Sequence, residues 1–434
     1  LLCLRLIQLK RTSVEGNRED RISALPRDVI DGILELLPVE EAARTSILSK
    51  EWRYIWATLP YLVLDKNFCL KLTKKSAFNL IDTIDKILLQ HTGDIVKFIL
   101  DVSMTFLSPY PDIDRWMLYV TRNGVKELTL NMSNNTSYKL PFYIFNCPTL
   151  TRLKLFNCVF KPPTSFLGFP NLITLYLSKV TFVLASEFFV IKAPLFTNLT
   201  LKYCDGIQHL KIVSSQLLSL IVCESHYLEL NCFTNCKKLK RLGLVGKVVD
   251  SVKYVERSTL EQLLLRLPSL EVLQLDSYFL ELLSANTVPK GLPFTLDCVR
   301  KLTLSVDFGK LGQTSCALQL IDCSPNLSNL EIRIRKAITT SNNADAVLKY
   351  VDTPVCLDRP LNKLKHAVIC SFMGSKEELL FIKLLFARTP SLVRMNIKQN
   401  RAFDSTEERN ITTELMRFPR ASPKAELFYF PCVS

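Results

Sequence analysis

Four residues in the middle of the chain have the types and spacing of a zinc site. Cys223, His226, Cys232 and Cys236 follow one another as C-x2-H-x5-C-x3-C, and thiolates and imidazoles are the usual ligands of structural zinc. However, Cys223 comes just after a predicted strand, and the segment straddles one unit of a sequence repeat. An apolar pair follows His226 directly. We therefore predict that these four side chains pack within the fold and bind no metal.

The other residues capable of chemistry are dispersed along the chain. Only 4 histidines and 12 glycines occur in 434 residues, and no glycine-rich phosphate loop, zinc-protease helix motif or nucleophile elbow is present. His91, His209 and His366 have no pattern of cysteines or carboxylates beside them. These observations predict a non-catalytic protein that needs no cofactor.

The cysteines and the length of the apolar runs bear on the compartment. The 14 cysteines are scattered, which is typical of free thiols in a reducing compartment. Asn-x-Ser/Thr sequons, such as those at Asn198 and Asn326, would instead suit an extracellular repeat protein. Residues 1–19 lack the cleavage site of a secretory signal, and we interpret them as a disordered leader. We expect a protein of the cytoplasm and/or nucleus with no membrane segment, because no apolar run reaches the length of a bilayer span.

A six-residue template provides the elements that must position these side chains. It occurs as VKELTL at 125–130, LTRLKL at 150–155, LITLYL at 172–177, FTNLTL at 196–201, LLSLIV at 217–222, LKRLGL at 239–244, LEVLQL at 270–275, VRKLTL at 299–304 and LSNLEI at 327–332. The copies recur at intervals of roughly 20 to 30 residues, which is close to the period of leucine-rich repeats. In several copies a proline lies two residues before the template and favours a switch to extended backbone. The pattern predicts an α/β solenoid with a parallel sheet on its concave side.

The template also predicts which side chains face the core. The shared core leucines are Leu128, Leu153, Leu175, Leu199, Leu220, Leu242, Leu273, Leu302 and Leu330. Residues between them should line the concave face, and we predict that Arg152, Lys154, Tyr176 and Lys202 there contact a partner protein. For any one of these four, an ordinary solvated position is the alternative interpretation. Two cysteines at the Asn/Cys position of the repeat, Cys158 and Cys204, are predicted to pack inside the turn that follows the strand.

The stretch 20–62 has a different, helical pattern. Its apolar residues are Val29, Ile30, Ile33, Leu34 and Leu37 in a first helix and Val39, Ala42, Ala43, Ile47 and Leu48 in a second. Pro38 separates the two helices, and Trp52 and Trp56 follow them. A segment of this size folds marginally alone, so its apolar surface must pack on the next domain or on another protein. One interpretation is a helical cap in which both tryptophans are ordinary core residues.

The order of residues in this stretch resembles an F-box of plant proteins. The resemblance rests on Leu25-Pro26, the leucine and isoleucine pairs before Pro38, and the run RTSILSKEWRYIW at 44–56. It implies docking onto the Skp-type linker subunit of an SCF ubiquitin ligase, which also contains cullin and RING subunits. The residues that it implies for this contact are Leu25, Pro26, Ile30, Leu34, Leu48 and Trp52.

The C-terminal region departs from the short repeat. We predict a strand at 364–371, a turn at Met373-Gly374, a helix at 376–387 and a strand at 392–398. This segment resembles the FBD domain that accompanies F-boxes and leucine-rich repeats in plants, and it is expected to cap the open end of the solenoid. The residues that carry the resemblance are Leu364, Phe372, Gly374, Glu377, Leu385, Leu392 and Met395. The predicted plan is a leader (1–19), an F-box (20–62), a linker-like transition, a repeat solenoid (76–360), an FBD domain (361–400) and a C-terminal tail (401–434).

The resemblance implies a substrate-recognition adaptor of an SCF-type ubiquitin ligase. The net charge is +14 and belongs mainly to the repeats, which suits an acidic protein target or an inositol-phosphate-like ligand. Dispersed basic residues without an RNA-binding motif make nucleic acid a minor alternative. A second alternative is a hormone-like small-molecule co-receptor, for which a deep pocket lined by basic and aromatic side chains would be the sign. A third is a scaffold in which the F-box binds its linker but no ligase assembles.

Overall fold

The repeated template forms parallel strands in both compact units of the chain, residues 1–185 and 186–434. The computed structural model describes residues 22, 24–74, 76–105, 111–133, 138–183, 189–207, 210–225, 230–246, 257–284, 292–335, 344–351, 359–401 and 403–431. The predicted leader lies outside the described residues. Among the described helices, none combines the length and the apolar composition needed to cross a membrane.

Three short helices begin the first unit. They are α1 (Arg27–Glu35), α2 (Val39–Arg44) and α3 (Lys50–Ala57), with a 3-10 turn at Thr45–Ile47. Pro26 and Pro38 directly precede α1 and α2, where a missing N–H leaves no helical hydrogen bond unmade. Ser49 caps α3, because its side chain accepts a hydrogen bond from the backbone N–H of Trp52 at 3.2 Å.

The rest of the first unit alternates strands with helices or short connections. Its elements are β1 (Tyr61–Leu64), α4 (Lys66–Thr73), α5 (Ala77–Gln90), β2 (Lys97–Asp101), α6 (Pro111–Arg122), β3 (Glu127–Asn131), β4 (Tyr138–Lys139), α7 (Phe142–Phe145), β5 (Arg152–Phe156), β6 (Cys158–Phe160), β7 (Thr174–Ser178) and β8 (Thr181–Phe182). The main sheet has the order β1-β2-β3-β5-β7, and β4-β6-β8 form a smaller one. The sheet therefore begins at Tyr61, inside the predicted F-box range 20–62, whereas the sequence predicted a solenoid only from residue 76. The strand YLVL escaped prediction because four residues carry too little of the template.

The second unit continues the parallel arrangement. Its elements are β9 (Phe189–Lys192), β10 (Asn198–Lys202), β11 (Leu210–Val213), β12 (Ser219–Cys223), a 3-10 helix (Leu230–Phe233), β13 (Arg241–Val245), α8 (Arg257–Leu265), β14 (Val272–Leu275), α9 (Ser277–Ser284), β15 (Lys301–Val306), α10 (Leu311–Asp322), β16 (Asn329–Ile334), α11 (Ala344–Val351), β17 (His366–Phe372), α12 (Lys376–Arg388), β18 (Arg394–Gln399), α13 (Ser405–Arg417) and β19 (Glu426–Phe430). The main sheet runs β10-β12-β13-β14-β15-β16-β17-β18-β19, and β9 pairs with β11.

The core leucines are stacked in register. In the second unit Leu199, Leu220, Leu242, Leu273, Leu302 and Leu330 occupy matched positions on successive strands. In the first unit Leu128, Leu153 and Leu175 do the same. All nine are buried, as the template predicted. Each strand thus buries its leucines against those of its neighbours, because no single repeat can cover its own apolar face.

The two repeat cysteines also lie where the template placed them. Cys158 and Cys204 are buried, and their thiols donate to the carbonyl oxygens of Phe156 at 3.3 Å and of Lys202 at 3.4 Å. The residue before Cys158 is Asn157, which has a φ of 56° and tolerates this left-handed conformation better than most residues. The cysteines are therefore part of the tight turn after the strand.

The predicted strand, helix and strand of the C-terminal region are present as β17, α12 and β18. Gly374 supplies the turn with a φ of 79°. Ser375 and Glu378 form a capping box, since the buried Glu378 carboxylate accepts from the N–H groups of Met373 at 2.8 Å and Gly374 at 3.0 Å. Burial raises the pKa of Glu378 above its ordinary value, although these hydrogen bonds oppose the shift.

Two expectations for this region were wrong. Residues 361–400 do not close the sheet, because β17 and β18 each have a paired strand on both sides. The predicted tail contains α13 and the last strand, β19. The strand Glu-Leu-Phe-Tyr-Phe lacks the leucine spacing of the template and was therefore not recognised.

A buried histidine joins the N-terminal helices to the first repeats. His91 follows α5, and its Nε2 lies 2.9 Å from the carbonyl oxygen of Leu59. The neighbouring N–H of Thr92 donates to the Ala57 carbonyl at 2.7 Å, and the Tyr119 hydroxyl donates to the His91 carbonyl at 2.9 Å. The Nδ1 atom is buried and has no hydrogen-bond partner among the described residues. Burial lowers the pKa of His91 from its ordinary 6.5, against the opposing effect of the Leu59 hydrogen bond.

We expect Leu302→Ala to lower the free energy of unfolding by about 3 kcal/mol, because it opens a cavity in the stacked core. Chemical denaturation followed by circular dichroism measures this change. The control is Leu265→Ala at an exposed position of the same unit, which should change stability by no more than about 0.5 kcal/mol. Equal effects of the two substitutions would contradict the assignment of Leu302 to the core.

We expect the first unit to lose stability as the pH falls below 6.5, the ordinary pKa of His91. The lowered folded-state pKa means that the unfolded chain binds this proton more readily, so acid favours unfolding. Thermal melts between neutral and acidic pH should show a smaller acid-induced drop for His91→Gln, which keeps a donor for Leu59 but does not titrate. His366→Gln at an exposed site is the matched control. An identical drop in both variants would exclude His91 as the source.

Candidate functional site

The N-terminal helices hold three of the six predicted contact residues inside their own core. Ile30 and Leu34 of α1 and Trp52 of α3 are buried, Leu25 and Leu48 are half-buried, and Pro26 is exposed. Contact of these six residues with a partner stays a prediction. The side chains of Ile30, Leu34 and Trp52 pack in the interior of the helical module formed by α1, α2 and α3, and not on its surface.

One arginine ties the first and third helices together. Arg27 donates from Nη2 to the Ile55 carbonyl at 2.9 Å and to Thr58 Oγ1 at 2.7 Å, and its Nε lies 2.9 Å from Asp31 Oδ1. These bonds fix the start of α1 against the end of α3. The contacts of Arg27 therefore set which side of α1 is exposed to solvent.

That outer face of α1 is apolar. Val29 and Ile33 are each 42% exposed and Leu36 is 84% exposed, and their spacing places all three on one side of the helix. Ile47, in the following 3-10 turn, is exposed as well. The helical spacing of the sequence predicted one apolar group in α1. The apolar pairs at 29–30 and 33–34 are the signal for two faces, one towards the core and one towards solvent.

The helical module is joined directly to the sheet of the first unit. Glu35 at the end of α1 pairs with Lys97 of β2 at 2.8 Å, and Glu40 of α2 pairs with Lys71 of α4 at 2.5 Å. Only residues 58–60 separate α3 from β1. The helical module, with the outer face of α1, is thus attached to the first repeats by two ion pairs and a three-residue connection.

A second candidate surface is the outer sheet face of the first unit. It is formed by the strand residues that alternate with the core leucines, which are the positions predicted to line the concave face. Lys154 of β5 lies in register with Tyr176 of β7, and the Tyr176 ring is 5.2 Å from that of Phe156. Arg152 is exposed and pairs with Glu127 at 3.3 Å, which balances its charge. The structure therefore brings Arg152, Lys154 and Tyr176 together on adjacent strands.

The fourth predicted residue of this surface, Lys202, belongs to β10 in the second unit. It is half-buried and lies in register with Cys223 of β12. Burial raises the pKa of the Cys223 thiol, and the charge of Lys202 opposes that shift.

The zinc-like spacing does not gather four ligands in the described part of the chain. His226 and the side chain of Cys232 lie outside the described residues. Cys236 is buried, and its thiol donates to the Ser214 carbonyl at 3.5 Å. In the ranges that the structure describes, no three histidine, cysteine or carboxylate side chains are arranged to hold a metal ion.

Two cavities of the second unit bear on the small-molecule alternative. The larger, about 800 Å³, is lined mainly by leucines and prolines between α8, the segment before β15, and α10, with Phe294 and Arg359 at its wall. The smaller, about 430 Å³, is polar and includes Arg300 and Lys363. Neither is lined by the outer-face strand residues predicted to bind a partner. A co-receptor role therefore stays a prediction.

Comparison with known proteins gives matches to both the N-terminal helices and the repeats. Residues 22–64 match the F-box domain model, and residues 113–332 match the model described as FBD-associated F-box protein At5g56370, LRR repeats. The chain is 31% identical to the F-box/FBD/LRR-repeat protein At1g13570 of Arabidopsis thaliana over 95% of this chain and 99% of that protein. It is 28% identical to the FBD-associated F-box protein At5g38590 of the same plant, over 73% of this chain and 78% of that protein. Because the F-box and repeat models both match, and one F-box/FBD/LRR-repeat protein is 31% identical along 99% of its own length, the chain belongs to the F-box/FBD/LRR-repeat protein family.

Proposed function

We propose that this protein is a substrate-recognition adaptor of an SCF-type ubiquitin ligase. An F-box implies binding of a Skp-type linker subunit, through which cullin and RING subunits join. The observation that carries the proposal is the apolar outer face of α1, formed by Val29, Ile33 and Leu36. The repeats would bind the target protein, and the adaptor would act by proximity, holding the target near the ubiquitin-charged partner.

The two faces of α1 suggest separate roles for its apolar residues. Ile30 and Leu34 are buried and would give the module its shape, whereas Val29, Ile33 and Leu36 would enter the contact with the linker. Complete burial of one fully exposed apolar side chain stabilises by about 1.5–3 kcal/mol, so these three side chains would contribute part of the binding free energy of the complex. The exposed Pro26 and the half-buried Leu25 and Leu48 would lie at the border of this contact.

We expect Ile33→Glu to weaken binding of the Skp-type linker by roughly a hundredfold, because a carboxylate would be desolvated in an apolar contact. Calorimetric titration of the purified full chain with the linker measures the affinity. Phe78→Glu, at a strongly exposed apolar position of α5 outside the module, is the matched control and should bind normally.

Two further variants separate surface from core. Leu25→Ala/Pro26→Ala tests the contact that the F-box resemblance implies. Ile30→Ala should lower the melting temperature and affect binding only through folding, since its side chain is buried. Normal linker affinity of a folded Ile33→Glu protein would refute the role given to the outer face of α1.

The outer sheet face of the first unit is our proposed target-binding surface. Lys154 is exposed beside Tyr176, and Arg152 lies on the same strand. A basic residue next to aromatic rings suits an acidic protein segment that also offers apolar contact. The same proposal places the adaptor in the cytoplasm and/or nucleus, which fits the free thiols of the described cysteines.

We expect Lys154→Glu to lose target proteins while keeping the linker. Captured proteins would be compared by mass spectrometry after affinity purification from proteasome-inhibited plant cells. Lys161→Glu is the control, since Lys161 is exposed but follows β6 in the smaller sheet. The target-binding role of this face would fail if both variants retained the same captured proteins as the unmodified chain.

A further inference from the structure

The last strand of the second unit has an open edge. β19 pairs in parallel with β18, with Arg394 opposite Glu426 and Lys398 opposite Phe430, and no described strand pairs with its other side. The N–H of Glu426 donates to the Val393 carbonyl at 2.9 Å. Because alternate residues of a strand bond to the same neighbour, the backbone groups of Leu427 and Tyr429 point to the open edge.

This edge has little of the usual protection against pairing. Phe428 is 38% exposed and Phe430 is 45% exposed on the outer face of the strand. Edge strands are normally guarded by lysines, prolines, bulges or a covering segment. Here the strand contains one charge, Glu426, and Pro431 comes only after its end. Such a strand is suited to pairing with another strand.

We propose that β19 pairs antiparallel with β19 of a second copy of this chain, forming a two-fold symmetric dimer centred on Phe428. Leu427 of each copy would face Tyr429 of the other, and these two pairs would make four backbone hydrogen bonds. Phe428 would face Phe428 of the second copy as a non-hydrogen-bonded pair, in which side chains approach most closely.

The chemistry of the strand selects this register. A dimer centred on Tyr429 would place Pro431, which has no N–H, opposite Leu427. A dimer centred on Leu427 would place Tyr429 opposite Ala425, which precedes the strand. Only the register centred on Phe428 pairs the open backbone groups of Leu427 and Tyr429 entirely within β19.

The same register is complementary in charge. Glu426 of one copy would lie opposite Phe430 of the other, and Phe430 is flanked by Lys398 of its own chain. Lys398 and Glu426 of the second copy therefore share one row on the outer face, and the contact occurs twice by symmetry. Arg394 stacks on Phe428 with its guanidinium carbon 4.8 Å from the ring centre, so its cation already makes a cation–π contact within its own chain.

The expected dimer is weak and concentration-dependent. A five-residue strand pair buries less than the roughly 800 Å² per partner of a typical stable interface. This interface uses β19 and Lys398 of β18, and none of its residues belongs to the F-box. It would double the number of F-boxes in each particle.

The test is sedimentation equilibrium of the full chain with charge-reversed variants. Lys398→Glu alone and Glu426→Lys alone should each weaken the dimer severalfold, because both symmetric Lys398–Glu426 pairings become repulsive. An equal mixture of the two variants should restore it, since every contact in the mixed dimer again joins opposite charges. Phe428→Lys should abolish the dimer, whereas Phe142→Lys, at an exposed position of the other unit, should not.

Two outcomes would overturn the proposal. One is a chain that stays monomeric at all accessible concentrations. The other is a dimer that is indifferent to Phe428→Lys, or whose charge-reversed variants are not restored by mixing, because association would then use another surface or a different register. Hydrogen exchange gives an independent reading, since the amides of Leu427 and Tyr429 should gain protection with concentration in the unmodified chain but not in Phe428→Lys.

Discussion

The in-register stacking of buried leucines is the constraint on which the rest of this structure depends. A single strand with its connection cannot cover its own apolar face, so each leucine position is completed by the strands on both sides. Leu302, for example, lies between Leu273 and Leu330 on neighbouring strands. Because the leucines take one side of each strand, the alternate residues are free to vary. The outer sheet face is therefore where the protein can acquire a specific partner without cost to its core.

The same logic explains the two ends of the chain. At the start, α1 buries Ile30 and Leu34 but has a second set of apolar residues that its own module does not cover. At the end, β19 has one neighbour among the described strands, whereas every interior strand of the sheet has two. Interior repeats cover one another's apolar side chains and pair one another's backbone groups, and among the described residues the two ends are not fully covered in this way. In α1 the uncovered groups are apolar side chains. In β19 they are backbone N–H and C=O groups.

The sequence was informative wherever one periodicity dominated. The leucine template predicted nine strands and the burial of their shared leucines, and the helical spacing after Ser375 predicted α12 closely. Prediction failed where an element is held by its neighbours rather than by its own pattern. β1 has only two buried leucines, and β19 has none of the template, so each is recognisable as a strand only beside its partner strand. In α1 the sequence could not divide apolar residues between core and surface, because that division depends on where Arg27 fixes the helix.

In the proposed adaptor role, the three-residue connection between α3 and β1 would affect the geometry of ubiquitin transfer. In an adaptor with a long flexible tether, a captured protein would explore many orientations, and any accessible lysine could meet the charged enzyme. Here residues 58–60, the Glu35–Lys97 ion pair and the His91–Leu59 hydrogen bond hold the helical module against the first strands. An adaptor built this way would hold the captured target in one orientation. The acceptor lysine would be chosen by its position on the target's surface rather than by the residues around it.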